Sequence, residues 1–168
     1  MSISWVTRPE EERDVPAIRE ILLAAFPTPL EADLVDALRK DPAWLPGLSI
    51  VAEHDGVVAG HALLTRCHVG DSPALALAPC AVLPARQRQG AGSAAIAAGL
   101  AAARSQGESL VLVLGHPSYY PRFGFARASS HGIRAAFDVP DEAMMALVLD
   151  ASRPVPSGTI AYPAPFSV

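Results

Sequence analysis

Residues 81–107 read AVLPARQRQGAGSAAIAAGLAAARSQG: the end of an apolar strand, a basic turn containing Gln87, Arg88, Gln89, Gly90 and Gly92, then a run of alanines. Free amides at a helix N-terminus and the helix dipole favour an anion at that point, and glycines let a bulky phosphate approach the backbone. The turn from Gln87 to Ser93 has this design. The apolar stretch 75–82 aims it, and Ala94, Ala95, Ala97, Ala98, Ala101 and Ala102 let the helix pack closely on a sheet. Glycines that merely ease a strand into a helix look similar, so the flanking sequence has to decide.

Working outward, the helix expected over 92–106 closes at Gly107, and ESLVLVL (108–114) follows as a continuous apolar strand buried on both faces. On the other side, PALALAPCAV (73–82) is a strand interrupted by Pro79. Proline removes a ladder hydrogen bond, so the strand must be irregular or bulged there. Before it, LSIVAEHDGVVAGHALLTRCHV (48–69) gives two β-rich runs joined at Asp55-Gly56, a strong hairpin signal. Nearer the N-terminus, ISWV (3–6) reads as a short strand. Residues 10–26 form an amphipathic helix with Asp14 as its cap and Pro16 in its first turn. Leu30, Leu34, Val35 and Leu38 mark a second helix that stops before Asp41-Pro42. Beyond the glycine turn, 115–125 is a loop or short helix, AMMALVL (143–149) is a strand, and the proline-rich tail 153–168 forms no regular helix; its Tyr162 and Phe166 either cover the sheet, the reading preferred, or line the acceptor side.

With 168 residues, 51% of them hydrophobic, and no repeat or long linker, the chain is expected to form a single domain over 1–168. A net charge of -4 argues against a general nucleic-acid binder, so any anion site must be local. Cys67 and Cys80 lie in apolar surroundings without C-x-x-C spacing, which points to reduced thiols rather than a zinc site or disulfides. His54, His61 and His68 recur every seven residues along a hairpin, which does not converge metal ligands, and no metal is expected. The N-terminus has no basic start followed by an apolar core, and no window reaches the roughly 18 apolar residues of a membrane span. The expectation is a cytoplasmic protein that binds no membrane, its assembly left open and compatible with a homodimer.

Three readings compete for the turn. A nucleotide phosphate loop requires G-x-x-x-x-G-K-[ST], and the lysine is absent. Residues 90–95 do fit G-x-G-x-x-[GA], but a dinucleotide fold places that motif in its first βα turn, with an acidic residue after the next strand; here Glu108 precedes that strand. Two helices and a meander also come first, the wrong order for a doubly wound sheet. The third reading joins Val82-x-Pro84 to Gln87-x-x-Gly90-x-Gly92. In this pattern, and in Tyr120-Pro121-Arg122-Phe123-Gly124-Phe125, the chain resembles the GNAT superfamily of acyl-CoA-dependent N-acyltransferases, whose motifs are V-x-P-x-x-[QR]-x-x-G-x-[GA] and Y-x-x-[FL]-G-F. LAPCAVLP together with YYPRFGF most resembles a bacterial subgroup of that superfamily. The sequence departs from the usual pattern in carrying Arg88 and Gln89 before the first glycine, and in lacking the asparagine that often precedes the tyrosine motif.

The resemblance implies an α+β fold of the GNAT type: a central mixed, mostly antiparallel sheet with a splayed strand pair, flanked by helices. It implies acetyl-CoA as cosubstrate, held by Cys80, Val82, Gln87, Arg88, Gln89, Gly90, Ala91, Gly92 and Ser93, with the backbone amide of Cys80 donating to the acetyl carbonyl. The acceptor would be a small-molecule or peptidyl amine. Tyr120 matches the superfamily's proton donor to the departing thiolate, a phenol of ordinary pKa about 10. The strand 75–82 carries no carboxylate to serve as base. His116, whose imidazole ordinarily titrates near 6.5, and Glu31, suited to a cationic amine, are the remaining catalytic candidates. Without that carboxylate, a non-catalytic acyl-CoA-binding regulatory domain is the alternative reading.

Overall fold

The computed structural model describes residues 3–168. Its strands are β1 (Val6–Pro9), β2 (Trp44–His54), β3 (Val57–Val69), β4 (Ser72–Val82), β5 (Leu110–Leu114), β6 (Ala126–Arg127), β7 (Ile133–Arg134), β8 (Met144–Val148) and β9 (Gly158–Ala161). Its helices are α1 (Val15–Ala25), α2 (Leu30–Leu38) and α3 (Ala91–Ser105). The sheet runs β1-β2-β3-β4-β5-β8-β6, with β9 paired to β3 and β7. Pairing is antiparallel except for β4 with β5 and β7 with β9. This is the expected mixed, mostly antiparallel α+β architecture.

The hairpin at Asp55-Gly56 forms as expected, both residues taking positive φ, 51° and 76°. The first strand differs from expectation. It begins at Val6 and runs through Pro9, because residues 6–9 pair with 53–50 of β2. Asp14 precedes α1, but its carboxylate does not cap that helix. It accepts instead from the Glu11 amide at 2.7 Å and from the Arg8 guanidinium at 2.7 and 3.0 Å, and Arg8 holds its pKa below the usual carboxylate range. In α2 the buried face is Ala32, Val35 and Leu38, while Leu30 is 72% exposed.

Strand alternation assigns the faces of the sheet, and the irregularity at Pro79 controls it. Cys80 pairs with Ala62, whereas the next pair is Leu77 with Leu64: two steps on β3 against three on β4. The extra residue at Ala78-Pro79 shifts the parity. Leu75 and Leu77, then Cys80 and Val82, face α3; Ala74 and Ala76, then Ala81, face the opposite side. The alanines and Gly99 of α3 let it lie close on the sheet, and a β-carbon at Gly99 would stand 3.1 Å from Leu64. The opposite face is covered by α1 and α2 over β2 and β3, and by β7, β9 and the tail over β4, β5 and β8.

Beneath α1 and α2 lies one buried polar chain. His61 is fully buried with Nε2 2.8 Å from Ser49 Oγ. Ser49 donates to Glu10, which accepts from Arg39 at 3.1 and 3.2 Å. Since the hydroxyl hydrogen goes to Glu10, Ser49 accepts from His61 Nε2–H, and His61 Nδ1 is left without a partner. Burial, assisted by the Arg39 charge, lowers the His61 pKa to about 3.

Candidate active site

β4 and β5 pair through Leu75 with Val111 and Ala76 with Leu112 alone, after which β4 continues to Val82 without β5 beside it. Two cavities open along this divergence. One of about 370 Å³ is bordered by Val82, Gln87, Arg88, the first turn of α3 from Gly90 to Ser93, Tyr119 and Arg122. The other, about 680 Å³, shares its Val82, Gln87 and Arg88 rim and extends past Ile96 to Cys80, Ala81, His116, Tyr120, Ala25 and Phe26. Their shared residues make them two ends of one cleft.

The turn that borders the first cavity is shaped by its backbone. Arg88 and Gly90 hold positive φ, 63° and 91°, which turns the chain so that Ala91 opens α3. The first amides of a helix lack intrahelical acceptors, so those of Ala91, Gly92 and Ser93 are available at the cavity. Gly92 is needed for close approach: a β-carbon there would lie 3.2 Å from Val82 Cγ2. Trp5 braces the turn from outside. Its indole donates to the Gln89 carbonyl at 2.7 Å, and the Arg86 guanidinium stacks 5.0 Å from its ring. Gln89 accepts from Arg86 at 3.1 Å through its side chain and lines neither cavity.

Two arginines and no carboxylate border the first cavity, giving a local positive field in an acidic chain. Arg122 lies 4.1 Å from the Tyr119 ring centre and donates to the Tyr119 carbonyl at 2.9 Å. The Tyr119 hydroxyl and Ser93 Oγ are hydrogen-bonded at 2.7 Å, linking the tyrosine motif to the start of α3. Tyr119, Arg122 and Trp5 were not among the expected site residues. Their distance in sequence from the glycine turn hid them, although Arg122, a cation inside the tyrosine motif, carried a legible signal.

Deeper in the cleft, Tyr120 begins a 3₁₀ turn through Phe123, ended by Gly124 at φ 101°. The His116 carbonyl accepts the Tyr119 amide at 3.0 Å and the Tyr120 amide at 3.4 Å, fixing where the turn starts. Tyr119 and Phe125 meet the Tyr120 ring edge-on at 5.0 and 5.8 Å. Tyr120 and Cys80 line the same cavity; burial, then the neighbouring Cys80, raises the phenol above its ordinary range. Burial likewise pushes the Cys80 thiol up to about 12, so Cys80 is no thiolate nucleophile.

The fold thus gathers Tyr120, His116, Cys80, Val82, Gln87, Arg88, Gly90, Ala91, Gly92 and Ser93 around one cleft. Glu31 borders neither cavity. It stands in the first turn of α2, with Oε1 shielded from solvent and without a hydrogen-bond partner.

Residues 15–125 match the Acetyltransferase (GNAT) family. The chain is 40% identical over 137 residues to the uncharacterized N-acetyltransferase YjhQ of Escherichia coli strain K12, an alignment spanning 79% of this chain and 76% of that protein. Among solved structures, YhbS of Escherichia coli in complex with CoA superposes with a TM-score of 0.91 at 28% identity, covering 100% of this chain and 94% of that one. A GNAT acetyltransferase of Brucella melitensis in complex with acetyl-CoA superposes at 0.80 with 32% identity, covering 97% and 98%. By its sequence, and by the sheet that opens at Pro79 beside a glycine-led helix, the chain belongs to the GNAT family of acetyl-CoA-dependent N-acetyltransferases.

Proposed function

We propose that the protein moves the acetyl group of acetyl-CoA directly onto a primary amine of a small molecule or peptide, within the cleft along β4. Acetyl-CoA supplies the activated thioester. The amides of Ala91 to Ser93 and the charges of Arg88 and Arg122 would hold its pyrophosphate. The glycine-containing turn, with helix-start amides beside two arginines and no carboxylate, fits such a group. The edge of β4 from Cys80 to Val82, unpaired by β5, offers backbone partners to an extended pantetheine arm.

The observation that carries the reading is that Tyr120 and Cys80 line one cavity where the strands part. As nitrogen bonds to the acetyl carbon and the carbon–sulfur bond breaks, sulfur gains an electron pair and needs a proton. Tyr120 carries its proton at neutral pH, as any phenol does, and burial raises its pKa further. The same burial raises the basicity of a neighbouring sulfur, as the Cys80 thiol reports. Phenol and thiolate are therefore closer in proton affinity here than a buried phenol facing a solvated thiolate would be. The Cys80 amide serves as donor to the acetyl oxygen, and His116, on the wall of the same cavity, accepts the proton released by the amine, directly or through water. Glu31, which borders neither end of the cleft, is given no step in this reading.

The test is thiol release with acetyl-CoA across a panel of amines. Tyr120→Phe is expected to lower kcat by roughly 100-fold or more while CoA affinity holds within about twofold. Unchanged release in that variant overturns the proton-donor role. Release that no amine accelerates overturns acetyl transfer itself and leaves acyl-CoA binding alone.

A further inference from the structure

A third cavity, about 310 Å³, lies on the sheet face opposite α3, under the C-terminal tail. Its floor is Ala76 and Ala78 of β4 with Leu112 and Leu114 of β5. Phe137, Tyr162 and Phe166 wall it, their rings in contact as a continuous aromatic shell with centres 6.1 and 5.3 Å apart. The tail was expected to cover the sheet. It does so with an unfilled space beneath it, near the small end of the roughly 300–1,000 Å³ usual for ligand pockets.

Position and chemistry together define what this space takes. Along β4 its lining stops at Ala78, and the lining of the cofactor-side cleft resumes at Cys80. Leu112 and Leu114 line it on the β5 side, and His116, two residues on, lines the cleft. The two linings therefore approach within two residues of each other on both chain segments, at Pro79 and at Gly115, where β4 has left β5. A molecule seated on the tail side would present its end to the cleft between these two segments. No charged side chain lines the cavity, and the Tyr162 hydroxyl is its one side-chain polar group. A carboxylate or phosphate placed there would be desolvated without a partner, whereas an aryl or branched alkyl group would replace water against apolar walls.

We infer that the acceptor is a lipophilic primary amine: an amino group on a short linker to an aryl or branched alkyl body that fills this cavity, with no anionic group near the body. The inference rests on the acetyl-transfer reading above and names its substrate class.

The experiment measures thiol release at saturating acetyl-CoA with phenethylamine and isoamylamine against ethanolamine, spermidine and glycinamide. The lipophilic amines are expected to exceed the polar ones in kcat/KM by roughly 30-fold or more, the discrimination a buried ring supplies. Leu114→Asp, at a half-exposed floor position, should bring that ratio to within about threefold while CoA affinity stays within about twofold, since Leu114 borders neither end of the cofactor cleft. Polar amines used equally well or better would overturn the inference and leave acetyl transfer standing, as would an undiminished preference in Leu114→Asp. Should no amine release thiol, acetyl transfer falls, and calorimetry on the CoA-loaded protein then reads the cavity by itself. Phenethylamine binding at least about tenfold tighter than ethanolamine supports the cavity's assignment, and equal binding overturns it.

Discussion

Gly115, between the end of β5 and His116, offers a test of the cleft that leaves the cleft's own side chains unaltered. Its backbone does not require glycine for conformation, but a β-carbon there would stand 3.0 Å from Tyr120 Cδ2 and 3.3 Å from Cζ, with Cε2 closer still. Carbon atoms pack at about 3.5–4.0 Å, so in Gly115→Ala the ring must yield by roughly 1 Å. Tyr119, Phe123 and Phe125 surround it, and the displacement is passed to the hydroxyl in the cavity that Tyr120 shares with Cys80. A misplacement of about 1 Å in a reacting group costs on the order of 100-fold in rate, about 2.7 kcal/mol of barrier. Steady-state thiol release should therefore show kcat down by roughly 100-fold with CoA affinity within about twofold, because Gly115 borders neither end of the cleft. The double variant Gly115→Ala/Tyr120→Phe should be barely slower than Tyr120→Phe alone, since the methyl acts through the hydroxyl already removed. A single variant within about twofold of the parent, or additive losses in the double variant, would refute the geometry.

Three further outcomes are expected. His61 is neutral when folded and titrates near 6.5 when unfolded, so stability is complete above pH 6.5 and is lost as pH falls toward about 3. The slope is up to about 1.4 kcal/mol per pH unit; urea midpoints of His61→Leu should lack most of the decline between pH 6.5 and 4, and an identical decline in both proteins would contradict it. Trp5→Phe removes the donor to the Gln89 carbonyl and should weaken CoA binding by roughly fivefold, an effect of about 1 kcal/mol, with kcat retained; unchanged affinity in calorimetry would mean the turn needs no brace. Gly92→Glu places a carboxylate against Val82 within the positive rim, and CoA binding should fall by at least about 100-fold, a result that retained affinity would exclude.

What the sequence disclosed and what it concealed divide along a physical line. The turn at 87–93 and the break at Pro79 are governed by backbone rules acting over a few residues, and both were legible as written. So was the hairpin at Asp55-Gly56. β6 and β7, two residues each, and β9, inside a proline-rich tail, owe their existence to pairing partners far along the chain, and no local pattern announces them. The same holds for β1, where Arg8 and Pro9 look like a turn until residues 50 and 51 come to lie beside them. At the site, Tyr120 and the glycines were found by motif. Trp5 was not, because its contact with Gln89 spans 84 residues. The apolar cavity was invisible for a different reason: a void is a property of how two strands diverge, and no residue encodes it alone.

That divergence also leaves a strand edge in the interior of a sheet rather than at its rim. Edges exposed in this manner invite another chain to pair, and proteins ordinarily shield them with charges, bulges or covering loops. On β4 the stretch from Cys80 to Val82 carries no charged side chain, and a bulge immediately precedes it. In hydrogen-exchange terms, amides directed to that edge should exchange readily while those directed to β3 are held by its ladder. A bound extended ligand would complete the missing rung and slow them. The cosubstrate on this view also acts as a folding ligand, protecting an interior edge that the parting of β4 from β5 leaves without a partner strand.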